Sequence, residues 1–195
     1  AFLTSPFTSS AVVVCDAHAP EVSVWIGDGA VLQRVDWPWT GAGFARVLSR
    51  CGAAVGLNPV DADRRLAALA QLQPASRDAR VDALITRASD GLAVPADFEA
   101  QIRGLAAAEG GGAVPAALAA ALQARITDLL VEFLGEVRAR TGQARETDQA
   151  LGVDRVREVA RAGTVTGLAA PGLEIGARAA PEQLGVQRVA PVLGL

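Results

Sequence analysis

The chain has 195 residues, 51% of them apolar, and a formal net charge of −3. That length fits one domain or one and a half, with enough apolar side chains for a sizeable core. The acidic balance argues against nucleic acid or an anionic membrane surface as the main partner.

All 18 cations are arginine, and Lys, Met and Tyr are absent. This skew toward Ala, Gly, Val and Arg matches a GC-rich coding bias and carries little chemistry. A chain that does not open on Met is expected to be processed, trimmed or part of something longer. Cys15 and Cys51 form no CxxC pair, which points to a reducing, cytoplasmic setting with a disulfide as the lesser alternative. No basic stretch precedes an apolar one at the start, and no apolar run reaches membrane-spanning length.

Residues 1–10 read as the end of an element followed by a loop. Residues 11–15, 21–26 and 31–35 are β-branched runs and predict three successive strands. Asp28-Gly29 is expected to turn the second into the third, with positive φ at both central positions. The two-residue period predicts that Val12 and Val14 share a face with Val22, Val24 and Ile26. Asp16 falls where the first strand ends, an edge where open sheets commonly hold ligands.

Trp37-Pro38-Trp39 closes this unit. A helix over 44–50 is expected to end at Gly52, and another over 61–72 carries Leu66, Leu69 and Leu72 at spacings of three. Residues 76–89 predict a helix capped by Ser76, with Val81, Leu84 and Ile85 inward and Asp90-Gly91 at its end. A helix over 95–108 follows, with Phe98, Ile102 and Leu105 inward. Gly110 to Gly112 then break the chain before the longest helix, 115–140, whose broad apolar stripe runs from Leu118 to Val137. After Gly142 the pattern weakens. One helix over 154–162 is expected, and the last thirty or so residues lack the large apolar side chains of a packed segment.

Each candidate has a functional and a structural reading. Asp16 is a nucleotide or metal contact, or a strand-end turn former. His18, the sole histidine, is a metal ligand only with partners clustered around it; otherwise it is a loop residue. Asp63 and Arg65 line a site or form a solvated helix face. Gly110 to Gly112 cradle phosphate or act as a connector, and they lack the GK[ST] ending of a P-loop. Trp37 and Trp39 stack on a base or sugar, or pack at a loop, whereas Trp25 reads as core. Cys51 reads as structural.

Ala1-Phe2, Ser5-Pro6-Phe7, the run Ala11 to Ala17 and the stretch Trp25 to Val35 together resemble the amino-terminal half of the nodulation-type O-carbamoyltransferases. The segment Ala62 to Ala70 is similar to that family's glycine-glutamate-x-lysine-leucine segment, with Asp63 at the glutamate and Arg65 at the lysine. Arg140-Thr141-Gly142 resembles the end of the helix before the family's glycine-rich loop, which leaves Leu151-Gly152-Val153 for that loop. Ala170-Pro171-Gly172, Ile175-Gly176-Ala177 and Ala190 to Gly194 resemble later family segments.

The resemblance implies an α/β (α+β) fold of the actin, Hsp70 and sugar-kinase kind, ribonuclease-H-like and incomplete. Residues 1–142 would belong to the ATP-binding domain and 143–195 to its degenerate continuation. It implies nucleotide contacts at Asp16, Asp63, Arg65 and Gly152, with ATP and a divalent metal as cofactors. The family's aspartate-glycine step reads Asp16-Ala17 here, and its metal-binding histidine pair would precede Ala1. The activity implied is transfer of a carbamoyl group from carbamoyl phosphate, through a carbamoyl-adenylate, to a hydroxyl of a small-molecule natural product. A protein partner could supply elements the chain lacks. The alternatives are a catalytically inactive scaffold or binding subunit, and an ATPase or sugar kinase of the same superfamily.

Overall fold

In the computed structural model, residues 9–16, 21–108, 115–142, 166–170 and 173–177 are described, the last two stretches as backbone. The expected helix over 154–162, together with His18, Gly110 to Gly112 and Gly152, lies outside the described residues.

The β-branched runs form β1 (Ser9–Cys15), β2 (Val22–Asp28) and β3 (Val31–Val35), an antiparallel unit in chain order. Two more strands, β6 (Thr166–Ala170) and β7 (Leu173–Ala177), come from the stretch in which no packed segment was expected. They complete a sheet of order β3-β2-β1-β7-β6. β7 runs parallel to β1, from Ala11 opposite Leu173 to Cys15 opposite Ala177, and β6 is antiparallel to β7. β1 therefore has a partner on each edge.

Its facing differs from the expectation by one residue. Val13 sits opposite Val24 and Cys15 opposite Val22, so Ala11, Val13 and Cys15 enter the main core with Val22 and Val24. Val12 lies on the other face, opposite Trp25, and is also buried. Alternation fixes faces within one strand, but register between strands shows in a sequence only when one face is polar, and β1 is buried on both. The β2–β3 turn also shifts by one. Asp28 pairs with Val31, leaving Gly29 and Ala30 as the loop. Only Gly29 has positive φ, at 57°. This is the requirement of a type II′ hairpin, with glycine at its first central position.

The helices pack on one another and on the Val13 face. α1 (Phe44–Ala54) buries Phe44, Val47 and Cys51, and it continues through Gly52, which the sequence reading took for its end. Gly52 is instead a contact point. A Cβ there would lie 2.6 Å from the Ala62 carbonyl oxygen at the start of α2 (Ala62–Ala70). α2 buries Leu66, while Leu72 lies past the helix end and is exposed.

The expected helix over 76–89 is only in part a helix. α3 (Ala79–Leu84) is capped by the Asp78 carboxylate, which accepts the Arg80 N–H at 2.8 Å. A short hairpin follows, β4 (Thr86–Ala88) and β5 (Gly91–Ala93). Ile85 is buried as expected, from a position between the two elements. Strands of three residues are too short to impose a period that competes with the helical one. Gly91 opens β5 and meets Gly41 so closely that an added Cβ would be 2.7 Å from the Gly41 Cα. The Asp90 carbonyl accepts Thr40 N at 2.9 Å and Gly41 N at 2.8 Å, which docks the hairpin on the segment leading to α1.

α4 (Phe98–Ala108) and α5 (Ala116–Thr141) follow the sequence reading closely. α5 ends at Gly142 in the left-handed conformation, φ 64°. Phe98, Phe133, Leu66, Ile102, Leu118, Leu122 and Leu129 are among the largest fully buried side chains. The architecture is mixed α+β, a three-strand antiparallel unit extended by β7 and β6, with helices over one face. No helix among the described residues is long and apolar enough to cross a membrane.

Two helical glycines make a matched test of this packing. Gly52→Ala has to separate α1 from α2, and overpacking of this kind costs about 1–3 kcal/mol. Gly104 in α4 has nothing within 4 Å of an added Cβ. Gly104→Ala is therefore expected to be stabilising by up to about 1 kcal/mol. Urea unfolding of the two variants should move the midpoint in opposite directions.

Candidate functional site

The candidate site is the carboxyl end of β1. The last strand pair is Cys15 with Val22, and one step further the Asp16 N–H donates to the Glu21 carbonyl oxygen at 2.8 Å. Asp16 is half-buried. Beside it, the Glu21 side chain turns to the amino terminus of α1. Its Oε2 accepts the Gly43 N–H at 2.5 Å, and its Oε1 accepts Arg46 Nη1. Only 9% of the Glu21 side chain is exposed, against 58% of Arg46.

This local arrangement follows from the sequence around α1. The helix has no acidic residue in its first turn, and its N-cap is Gly43, which has no side chain to offer. The free N–H groups of a helix start need an acceptor, and the helix dipole favours a negative one. Glu21, distant in sequence, supplies it. Glycine at 43 makes the approach possible, since a Cβ there would stand 2.8 Å from the Glu21 Cβ. Sequence reasoning missed Glu21. The signal available was an acid just before an apolar strand, together with a later helix start that carries no acid of its own.

Asp63 and Arg65 lie elsewhere. Both are exposed on α2, which packs against α1 and α5. Arg65 Nε closes on Asp61 Oδ2 at 2.6 Å, an (i, i+4) pair within its own helix. The two residues thus share a solvent-facing helix turn, while Asp16 belongs to the end of the sheet.

The tryptophans are engaged by protein. Trp37 is 5.6 Å and Trp39 4.9 Å, centroid to centroid, from Phe133 of α5. Trp39 and Phe133 are each 5.7 Å or less from Phe44 of α1. Arg87 Cζ lies 4.7 Å from the Trp39 ring centre and 4.8 Å from that of Phe133, and Arg140 Cζ lies 4.4 Å from that of Trp37. Arg87 is held in turn by Glu136 at 2.9 Å. A base or sugar stacking here would have to displace an arginine. Trp25 is half-buried, its Nε1 donating to Ser23 Oγ at 3.0 Å.

A shallow hollow of about 560 Å³ lies between α3, the β4–β5 hairpin and α4, with Arg80, Thr86, Val94 and Gln101 in its lining. It does not coincide with the end of β1. The charged group in its lining, Arg80, is drawn back onto Asp78, whose carboxyl it holds below the usual carboxylate range. Arg50 does the same for Glu99, bridging α1 and α4 at 2.6 Å. The strand end, with its two acids and a helix terminus, has the richer chemistry.

As to metal, no three His, Cys, Asp or Glu side chains gather into a cation-holding group among the described residues. An all-protein cage of that size is therefore not formed by them. A magnesium ion on a nucleotide needs less, one or two carboxylates with phosphate oxygens completing the shell. Asp16, half-buried at the strand end, is a carboxylate of the kind such an ion takes. The amino terminus of α1 does not fit a phosphate in this arrangement, because Glu21 already occupies it. Comparison with protein-family models and with curated proteins finds no match to this chain.

Cys15, next to Asp16, and Cys51 are free and buried, and burial pushes both thiols up to about 12. Neither supplies a thiolate at neutral pH. At pH 8 a thiol reagent should therefore label no cysteine of the native protein and both in denaturant. A pKa raised by folding gives stability that is complete below the ordinary value of 9.0 and lost as pH rises toward about 12. Alkaline unfolding should accordingly shift to higher pH in Cys15→Ala and Cys51→Ala, once each variant's lower stability at pH 8 is subtracted.

Proposed function

We propose that this chain carries the nucleotide-binding part of an ATP-dependent O-carbamoyltransferase of the nodulation type, with the actin- and sugar-kinase-like fold that the resemblance implies. The observation that carries the reading is the position of Asp16. It stands just past the paired ends of the parallel strands β1 and β7, where Cys15 faces Ala177. On its other edge β1 has the antiparallel β2. Open sheets hold ligands outside the carboxyl ends of such strands.

In this reading Asp16 would hold the divalent metal of a metal–nucleotide, while Asp63 and Arg65, on the solvent-facing turn of α2 away from the strand end, belong to it through the resemblance alone. When bound, ATP and metal would supply the activation for carbamoyl transfer: phosphate leaves carbamoyl phosphate, pyrophosphate leaves ATP as the carbamoyl-adenylate forms, and AMP leaves as the acceptor hydroxyl gives up its proton and takes the carbamoyl group. The chain's part is to bind and orient, with charge on the phosphoryl groups offset by the metal. Gly152 belongs to the same reading through the resemblance alone.

A second reading is a catalytically inactive relative, acting as a scaffold or binding subunit. The observation favouring it is Glu21. Its carboxylate fills the helix terminus beside Asp16 and takes the Arg46 guanidinium as well.

Calorimetric titration of the 195-residue chain with ATP and a nonhydrolysable analogue, with and without Mg²⁺ or Fe²⁺, separates the two. Saturable, metal-dependent binding supports the nucleotide reading, and carbamoyl transfer from carbamoyl phosphate is then assayed. A well-folded sample that binds neither nucleotide leaves the scaffold. Asp16→Asn should abolish binding with the thermal midpoint nearly unchanged. Equal binding by that variant removes Asp16 from the site.

A further inference from the structure

We infer that Glu21 is a positioning residue for Asp16, fixing the end of β1 to the amino terminus of α1. The consequence for ligand binding rests on the nucleotide reading above; the geometry does not.

The link runs through one residue. The Glu21 main chain accepts the Asp16 N–H at 2.8 Å. Its carboxylate accepts the Gly43 N–H at 2.5 Å and pairs with Arg46. α1 is itself anchored, with Phe44, Val47 and Cys51 buried in the core. Asp16 is thus tied to a packed helix by two hydrogen bonds in series, on the main chain and the side chain of Glu21. Gly43 belongs to the device, because any side chain there would push the carboxylate away.

Charge follows the same logic. Two acids stand close to the end of one strand, and Glu21 is matched there by a helix dipole and a guanidinium. Glu21 is neutralised within the protein by α1 and Arg46. In the nucleotide reading Asp16 is the carboxylate that meets the cation, held at its main chain by a residue whose own carboxylate is engaged by α1 and Arg46. Outer partners tune a site by orienting the residues that reach the ligand, and here the orientation would pass through the main chain of Asp16.

A residue that merely caps α1 would affect stability alone. Two readouts distinguish positioning from capping, both taken where circular dichroism shows each variant folded. One is the exchange rate of the Asp16 amide by NMR, and the other is the dissociation constant for ATP with Mg²⁺. Glu21→Ala should speed Asp16 exchange and weaken binding by about 10- to 100-fold, the range typical of outer-shell partners. Glu21→Gln keeps an oxygen for Gly43 and should restore both toward wild type. Unchanged exchange and binding in Glu21→Ala overturn the inference while leaving the nucleotide reading standing. Failure of the wild type to bind ATP overturns that reading instead, and Asp16 exchange alone then decides the link. If Glu21→Ala does not fold, Gly43→Ala stands in for it, with the same expected direction; unchanged Asp16 exchange there overturns the inference.

Discussion

The backbone of β1 is the constraint on which the rest depends. Ala11, Val12, Val13 and Cys15 are buried and Val14 is half-buried, so both faces of the strand are largely shut off from water. Buried N–H and C=O groups need partners, and a strand buried on both faces needs them along both edges. β2 provides one edge from the adjacent stretch of chain. The other comes from β7, after the whole helical section has been passed. A parallel neighbour requires a long connection, and the run from α1 to α5 lies within it. The end of β1 is therefore fixed from both sides, which gives Asp16 a defined position.

A second organising centre holds the helices to the end of the three-strand unit. Phe133, fully buried on α5, meets Trp37 and Trp39 from the segment after β3 and Phe44 at the start of α1. Arg87 from β4 lies against the same rings and reaches Glu136, one helical turn along α5 from Phe133. Arginine suits this place better than lysine, since its flat guanidinium stacks on aromatic rings while its edge stays free for a carboxylate. In a chain without lysine, cations commonly serve as packing elements. Arg50 on Phe98 and Arg140 on Trp37 repeat the pattern.

Much of this was legible in the residues. β-branched runs separated by polar breaks gave three strands, and the long stripe from Leu118 to Val137 gave α5 within a residue or so at each end. Features set by contacts distant in the chain were not legible. Gly52 resembles a helix stop because glycine both ends helices and permits close approach, and only the position of Ala62 shows which applies. The β4–β5 hairpin was hidden because Val81, Leu84 and Ile85 satisfy a helical spacing whether or not the helix continues. The facing of β1 was hidden by its own uniformity. At the candidate site, Asp16 was readable from its place at a strand end. Glu21 was not, because its role depends on a helix start that lies some twenty residues away in sequence.

The arrangement at that strand end bears on how a nucleotide could be held. Many phosphate sites rest on the amino terminus of a helix, where free N–H groups and the dipole meet the anion directly. Here α1 offers such a terminus near the end of β1, and the protein fills it with its own carboxylate. Direct phosphate capture at α1 would require Glu21 to leave, breaking its pair with Arg46 and baring a helix start with no acid in its first turn. Contact through a metal at Asp16, as proposed, has no such requirement, since it leaves Glu21 on α1 and Arg46. Within the proposed nucleotide reading, the mode that leaves Glu21 in place is the one in which metal comes between protein and phosphate. It also makes metal dependence the property that most sharply separates a working nucleotide site from a scaffold that keeps only the fold.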